Sequence, residues 1–265
     1  MNKFAKRAVF SILFLCMMIT PFSVFAKETK KQQAITIPNH VLSISKENTY
    51  PNAAADQEIV EPSKETKALL ETSQVPLENP DLIRMLNETT IKPSPVAIGY
   101  RATIYLGHWA LHYKSADTTV NWKYKKINTN EFGNYDGEAE KKMHYLQKTE
   151  VAVTGALTNR IKHPDDIKKM MLLQAKQKSK LPLSSQAVFG SGTKTEHAFA
   201  IPPKKQGLLN AYAAAVNEKG EATFGEVYLV LKGSKKQLMI KNVTKQGIGG
   251  WIPIQDYISF SLQVK

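Results

Sequence analysis
Beyond an apolar run near its start, the chain divides into two regimes of apolar spacing. Short clusters at helical intervals occupy residues 63–89. From Val96 onward, aromatic and branched residues alternate with polar ones as they do in strands. Ser63 can cap a helix reaching about Glu71, to which Leu69 and Leu70 give the apolar contribution. Asn79-Pro80-Asp81 opens a second helix with a capping Asn, Pro at the first helical position and an acid in the first turn. Leu82, Ile83 and Leu86 make its apolar face, and Thr89-Thr90 with Pro93 end it.

Ala97–Tyr113 and Thr119–Ile127 read as two strands, with a hairpin at Ser115 and Asp117 between them. In the second, Val120, Trp122 and Tyr124 alternate with Asn121, Lys123 and Lys125, so one face is buried and one is wet. Asn130–Gly137 is a turn or loop, and Lys142–Thr158 a long strand or a pair. His163-Pro164-Asp165-Asp166 opens the one long helix, reaching about Lys178, with Ile167, Met170, Met171 and Gln174 on one side and a basic last turn. A loop over 181–207 leads to strands Leu208–Val216, Ala222–Leu231 and Lys236–Val243. Short Gly-bearing connections at 217–220 and 232–235 suit hairpins. A last strand covers about Asp256–Val264. The expected class is α+β: an antiparallel β-meander sheet covered by one longer helix, with a polar N-terminal arm and two short helices.

The apolar run itself is an export signal. Lys3, Lys6 and Arg7 precede Ala8–Thr20, Pro21 breaks the run, and Val24-Phe25-Ala26 places small or medium residues at a signal-peptidase site, so cleavage is expected after Ala26. As a helix the run would cover only about 20 Å of a ~30 Å hydrocarbon core. Cleavage removes Cys16, the single cysteine, which leaves neither disulfides nor thiolate chemistry. The expected parts are then a signal peptide at 1–26, an extended polar arm or linker at 27–60 with a short strand at Ala34–Ile37, a helical segment packing on the core at 61–95, and an α+β core at 96–265.

Charge adds a preference among partners. The formal charge is +13, and residues 27–90 hold 7 basic and 10 acidic side chains against 26 and 13 in residues 91–265. A basic exported domain favours an anionic wall polymer or a membrane surface, and nucleic acid is not an expected partner. The acidic arm could dock on a protein partner.

Candidate chemistry is sparse. His108 and His112 have the spacing of a helical zinc pair, but on a strand they stand about 13 Å apart, so no metal site is assigned. Ser191, in Gly190-Ser191-Gly192, lacks the spacing and context of a nucleophile elbow and reads as a turn. The glycines of residues 246–251 read as a bend or bulge rather than an anion nest. Glu131, Asp136 and Glu138 are the carboxylates a glycan hydrolase or transferase would use, with Trp109 or Trp122 as sugar platforms. No cofactor motif stands out. The residues with most binding character are Trp109, Trp122 and Tyr124 interleaved with Arg101, Lys123 and Lys125, since aromatic faces beside cations stack sugars and bind anionic polymers.

Five stretches carry a family resemblance: ISKENTYPNA (44–53), ENPDLIRMLNE (78–88), AIGYRATIYLG (97–107) with VNWKYK (120–125), AAVNEKGEATFGEVYLVLKG (214–233) and IKNVTKQGIGGWIPIQD (240–256). Together they resemble the YfkD-like proteins of Bacillus and relatives. The resemblance implies an exported protein of Gram-positive bacilli and brings no catalytic residue with it. The expected role is therefore a non-enzymatic envelope protein holding an anionic polymer or surface through a basic face.

Overall fold
The computed structural model describes residues 35–52, 59–92, 96 and 99–265. The signal peptide with its cleavage after Ala26, the Ala-rich patch at 53–55, and Pro93 lie outside the described residues.

Three antiparallel strands set the architecture: β2 (Arg101–Asn134), β8 (Lys205–Lys232) and β9 (Lys235–Val264), of 34, 28 and 30 residues. At ~3.3 Å per residue each extends on the order of 100 Å. They form one sheet with β1 (Val41–Ser43), in the order β1-β9-β8-β2, and β5 (Ala156–Leu157) pairs with the same edge of β9. Two small ribbons stand apart: β3 (Lys141–Leu146) with β7 (Lys194–Ile201), and β4 (Val151–Thr154) with β6 (Gln186–Phe189).

The expected α+β sheet under one longer helix is therefore corrected. Strands make up 55% and helices 15% of the described residues. Pairing runs straight through two places expected to turn. Residues 217–220 continue β8 opposite Ser115–Thr119 of β2 and Trp251–Ile248 of β9, and the expected hairpin at Ser115 is a bulge inside β2. A Gly-bearing polar segment reverses the chain only when its backbone groups lack partners on both sides; β8 has a neighbour on each edge. The connection at 232–235 does turn, with Gly233 at φ +56°. The 181–207 stretch expected as loop holds β6 and β7, and the short strand near the arm lies at Val41–Ser43 rather than Ala34–Ile37.

The three helices among the described residues begin where the sequence places their starts. Helix α1 (Lys64–Leu70) is capped by Ser63, whose hydroxyl accepts from the Thr66 amide at 3.1 Å. Helix α2 (Pro80–Glu88) is capped by Asn79. Helix α3 (Pro164–Ser179) buries Ile167, Met170, Met171, Leu172 and Ala175 on the centre of the sheet. Sixteen residues of helix span only about 24 Å, so α3 covers part of the sheet's length. Leu69, Leu82 and Leu86 of α1 and α2 pack on Val227, Leu229 and Leu231 toward the 232–235 turn. The two ribbons cover the opposite end through Met143, Tyr145, Val153 and Phe189.

Asn79 ties these parts together. Its Oδ1 accepts from the amides of Asp81 and Leu82, while its Nδ2 donates to Ala110 O and Asp166 Oδ2, both at 2.8 Å. Asn79→Ala should lower the unfolding free energy by about 2–3 kcal/mol, since it loses both the cap and the donor to a buried carbonyl. Asn79→Ser, which restores only the cap, should recover about 1 kcal/mol of that. Urea unfolding with an unchanged m value is the measurement; equal losses in both variants would deny Asn79 its capping role.

Candidate functional site
Near the 232–235 turn, α1 and α2 cover one face of the sheet and the described residues leave the other open. Ala102, Ile104 and Leu106 point into the helix-packed cluster, whereas Arg101, Thr103 and Tyr105 between them are exposed. Residues paired across strands share a face, so the register spells out the open side in rows. Arg101, Lys232 and Lys235 stand in one row; Thr103, Val230 and Gln237 in the next; then Tyr105, Tyr228 and Met239; then His108, Glu226 and Lys241. The rows extend about 25 Å along the strands.

The first row sets three like charges side by side on neighbouring strands, and all three side chains are exposed. No acidic side chain among the described residues forms a salt bridge with any of them. Like charges directly opposed across a sheet repel, and an anion laid over them removes that repulsion. Further in, the rings of Tyr105 and Tyr228 lie 5.1 Å apart, tilted 45° to each other, and Tyr105 is 55% exposed, so aromatic surface remains open. Lys241 Nζ stands 5.1 Å from the Tyr228 ring centroid, and the Tyr228 hydroxyl donates to Glu226 Oε2 at 2.8 Å. That bond, followed by one from Asn242, holds the Glu226 carboxyl below the usual carboxylate range. Glu226 is thus a firm carboxylate, suited to accepting hydrogen bonds and unsuited to giving a proton.

A histidine pair closes the inner end of the open face. His163, left-handed at φ 49°, begins α3 without a side-chain cap bond, and its Nε2 lies 3.0 Å from His108 Nδ1. The ring planes differ by 16° with centroids 5.2 Å apart, so the imidazoles meet edge to edge. One nitrogen must donate and the other accept, and the pair cannot carry two charges while the bond persists. Burial first, then His163 and Lys162, hold the His108 pKa below its ordinary value, with Glu226 opposing.

Arg101 is the only one of the six sequence-predicted binding residues to fall in these rows. Trp109 is half-buried against the cluster under α1 and α2, its indole N–H donating to Leu106 O at 3.0 Å. Trp122 is half-buried against the α3 cluster, and Tyr124 stacks on Trp251 with centroids 4.9 Å apart. Lys123 and Lys125 are exposed, Lys123 Nζ lying 5.9 Å from the Tyr212 ring centroid. Trp122 lies about 70 Å along β2 from Arg101, so the six do not form one site. Glu131, Asp136 and Glu138 are all exposed. Ser191 lies in a turn and donates to Lys148 O at 3.1 Å, and the glycines of 246–251 lie inside β9, where the Gly249 amide donates to Thr158 Oγ1. Among the described residues, no group of three or more His, Cys, Asp and Glu side chains could hold a metal. Sequence reasoning passed over Glu226, Tyr228 and His163. The alternation of Glu226, Tyr228 and Val230 with Val227, Leu229 and Leu231 was the available signal; which strand faced them was not.

A profile of the YfkD-like proteins matches residues 38–265. The chain belongs to the YfkD-like family. It is 51% identical over 259 residues to a Bacillus subtilis (strain 168) protein named "Uncharacterized protein YfkD", covering 98% of this chain and 97% of that one. Among solved structures, a lamprey immune protein overlaps 62% of this chain and 53% of its own length at 7% identity, with a TM-score of 0.23. The parasporin-2 toxin of Bacillus thuringiensis, described as recognising cancer cells, overlaps 63% of this chain and 74% of its own at 11% identity, with a TM-score of 0.24. Overlaps at these scores carry no argument about this member of the YfkD-like family.

A second polar group lies deeper, under the C-terminal end of α3. Glu218 is fully buried; the Tyr113 hydroxyl donates to its Oε1 at 3.2 Å and the Thr118 hydroxyl to its Oε2 at 2.6 Å. Lys178 Nζ reaches the same place through Ser115 Oγ at 2.7 Å. Gly220 makes the arrangement possible, because a Cβ there would stand 2.5 Å from the Tyr113 hydroxyl and 2.3 Å from Lys114 O. Burial pushes the Glu218 carboxyl above the usual carboxylate range, and the Ser115 and Thr118 hydroxyls, Lys178 and Tyr113 lower it without cancelling the rise. A carboxyl with a raised folded-state pKa binds its proton more tightly when folded, so its stabilising contribution is present at acid pH and is lost as pH rises through the window above ~4.5. The melting temperature of the natural protein minus that of Glu218→Gln should therefore fall as pH rises through that window, by up to about 1.4 kcal/mol of stability per pH unit. A difference that stays flat or climbs with pH would show that Glu218 is not desolvated.

Proposed function
We propose that this member of the YfkD-like family is exported, freed of residues 1–26, and binds anionic polymers of the cell envelope through the open sheet face. The row of Arg101, Lys232 and Lys235 leading onto Tyr105 and Tyr228 carries the reading. A charged polymer laid along β2 and β8 would place phosphates or carboxylates over the cations and stack its sugar or polyol units on the tyrosines. Lys241 beyond the tyrosines extends the positive track, and Glu226 offers an acceptor for hydroxyl groups. The apolar-to-polar exchange on stacking and the charge term act together, as they do where cationic grooves are combined with aromatic platforms. A non-enzymatic role is favoured because Glu226 is held below the usual carboxylate range, which makes it a poor general acid, and Glu131, Asp136 and Glu138 are exposed and lie outside the rows.

Purified residues 27–265 should co-sediment with Gram-positive walls that carry anionic teichoic acids, and much less with stripped walls. Retention should fall at high salt, because exposed charges are screened within about 8 Å at physiological ionic strength. Arg101→Glu with Lys235→Glu should weaken retention tenfold or more, and Tyr105→Ala with Tyr228→Ala several-fold with the salt dependence preserved. Lys123→Glu with Lys125→Glu, mid-strand and outside the rows, should leave it unchanged. Loss that is equal in both lysine variants would reduce the positive charge to a non-specific attraction.

A further inference from the structure
A cavity of about 470 Å³ opens where α3 crosses the β5–β9 edge, well separated in sequence from the tyrosine rows. Its floor and walls are mostly apolar: Leu157 from β5, Met171 and Leu172 from α3, and Trp251 and Ile252 from β9, with Ser184 and Ser185 as polar neighbours. Small residues create the space. Gly155, Ala156 and Gly250 line it, and a Cβ on Gly250 would lie 2.7 Å from Met171 Sδ, so Met171 rests directly on bare backbone. The rim on the α3 side is ionic, with Lys168, Lys169 and Asp165. Lys168 pairs with Asp165 at 3.2 Å while remaining 49% exposed; Lys169 reaches out to Asp81 at 2.6 Å, and Asp81 also holds Arg84.

We propose that this cavity binds a single-chain anionic amphiphile. The apolar depth takes the acyl chain, packed against Leu157, Met171, Leu172 and Ile252, and the two rim lysines take a carboxylate or phosphate head. The volume lies within the range of small-molecule sites and is too small for a folded partner. Apolar walls left to water cost free energy in proportion to their area, which an acyl chain recovers. The rim decides the sign of the head group: two lysines and one aspartate line it, a net positive balance. Both lysines already have carboxylate partners of their own, so the head group must compete with an exposed, weakly held Asp165 for Lys168. That makes Lys168 the stronger determinant and Lys169 the weaker, because Lys169 is tied to Asp81.

Titration of the full chain with myristate, with a monoacyl phosphatidylglycerol and with 1-tetradecanol, each below its aggregation limit, tests this by calorimetry and by tryptophan fluorescence. The expected result is saturable one-to-one binding of both anions with a change in tryptophan emission, and distinctly weaker binding of the alcohol. The anion that binds tighter identifies whether a free fatty acid or a lipid phosphate is the source. Ala156→Phe, which fills the cavity from an exposed position, should weaken both anions tenfold or more without lowering the melting temperature. Lys168→Glu, on the solvent side of α3, should weaken the anions and leave the alcohol unchanged. Binding of the alcohol as tight as that of myristate would overturn the anionic head, and no saturable binding of any of the three would overturn the site. Anion affinities untouched by Ala156→Phe would place the binding elsewhere and overturn the assignment.

Discussion
Every other part of the molecule hangs on the backbone ladder that β8 makes with a long strand on each side. Along most of β8 the amides and carbonyls are paired in register with both β2 and β9. A central strand of this length has no free edge, and where elements cover both of its faces its side chains must suit burial on both. Fully buried Ala211, Ala213, Ala214 and Ala215 do so by being small, which lets elements pack closely above and below. Bulges in β2 and register shifts against β9 absorb the twist that three such strands accumulate. The helices, the ribbons and the arm are secured to this ladder. In the arm, Asn48 and Asn52 both donate to Asp256 Oδ1 where β9 itself turns left-handed at φ 55°.

Because no single cover is long enough, the sheet is clothed in pieces, and the pieces define what each region can do. Near the 232–235 turn the helices lie on one side only, and the uncovered side presents cations and tyrosines in rows. At the centre α3 covers the sheet, yet small residues beneath its edge leave a cavity instead of a close fit. Both candidate sites therefore arise from incomplete coverage of one sheet, with Gly155, Ser184 and Ser185 of the connections adding to the cavity. Side chains fixed on paired strands are held in place by the ladder, which suits binding that depends on spacing along a polymer.

The buried Glu218 group shows the opposite use of the same ladder. A carboxyl inside the sheet is tolerated because Tyr113, Thr118 and, through Ser115, Lys178 surround it. Its partners come from β2 and from α3, so the group joins the helix to the sheet through polar contacts in an otherwise apolar layer. Removing a single partner would leave a buried polar group short of a hydrogen bond, which costs more than the contact itself is worth.

Local chemistry made the helices legible from the chain alone. Ser63, Asn79 and Pro164 mark helix starts through bonds and dihedral limits reaching only three or four residues, and α1, α2 and α3 begin there. The family, too, could be read from residue patterns. The strands were legible as strands but not as three, because continuing through Ser115 or through residues 217–220 depends on pairing with β9 and, between β2 and β8, with partners about a hundred residues away. Strands β6 and β7 were hidden for the same reason, since each pairs with a segment of the chain expected to be one long strand or a pair. Among the residues of the open face, Arg101 could be named from composition, while Tyr228, Glu226, Lys232 and Lys235 joined it only when the cross-strand register put them in rows. The sequence by itself determined where helices start, which residues alternate and how the charge is divided. Tertiary structure alone decided which strand faces which and what stays uncovered, because backbone pairing is non-local and the same polar segment turns or extends according to what lies beside it.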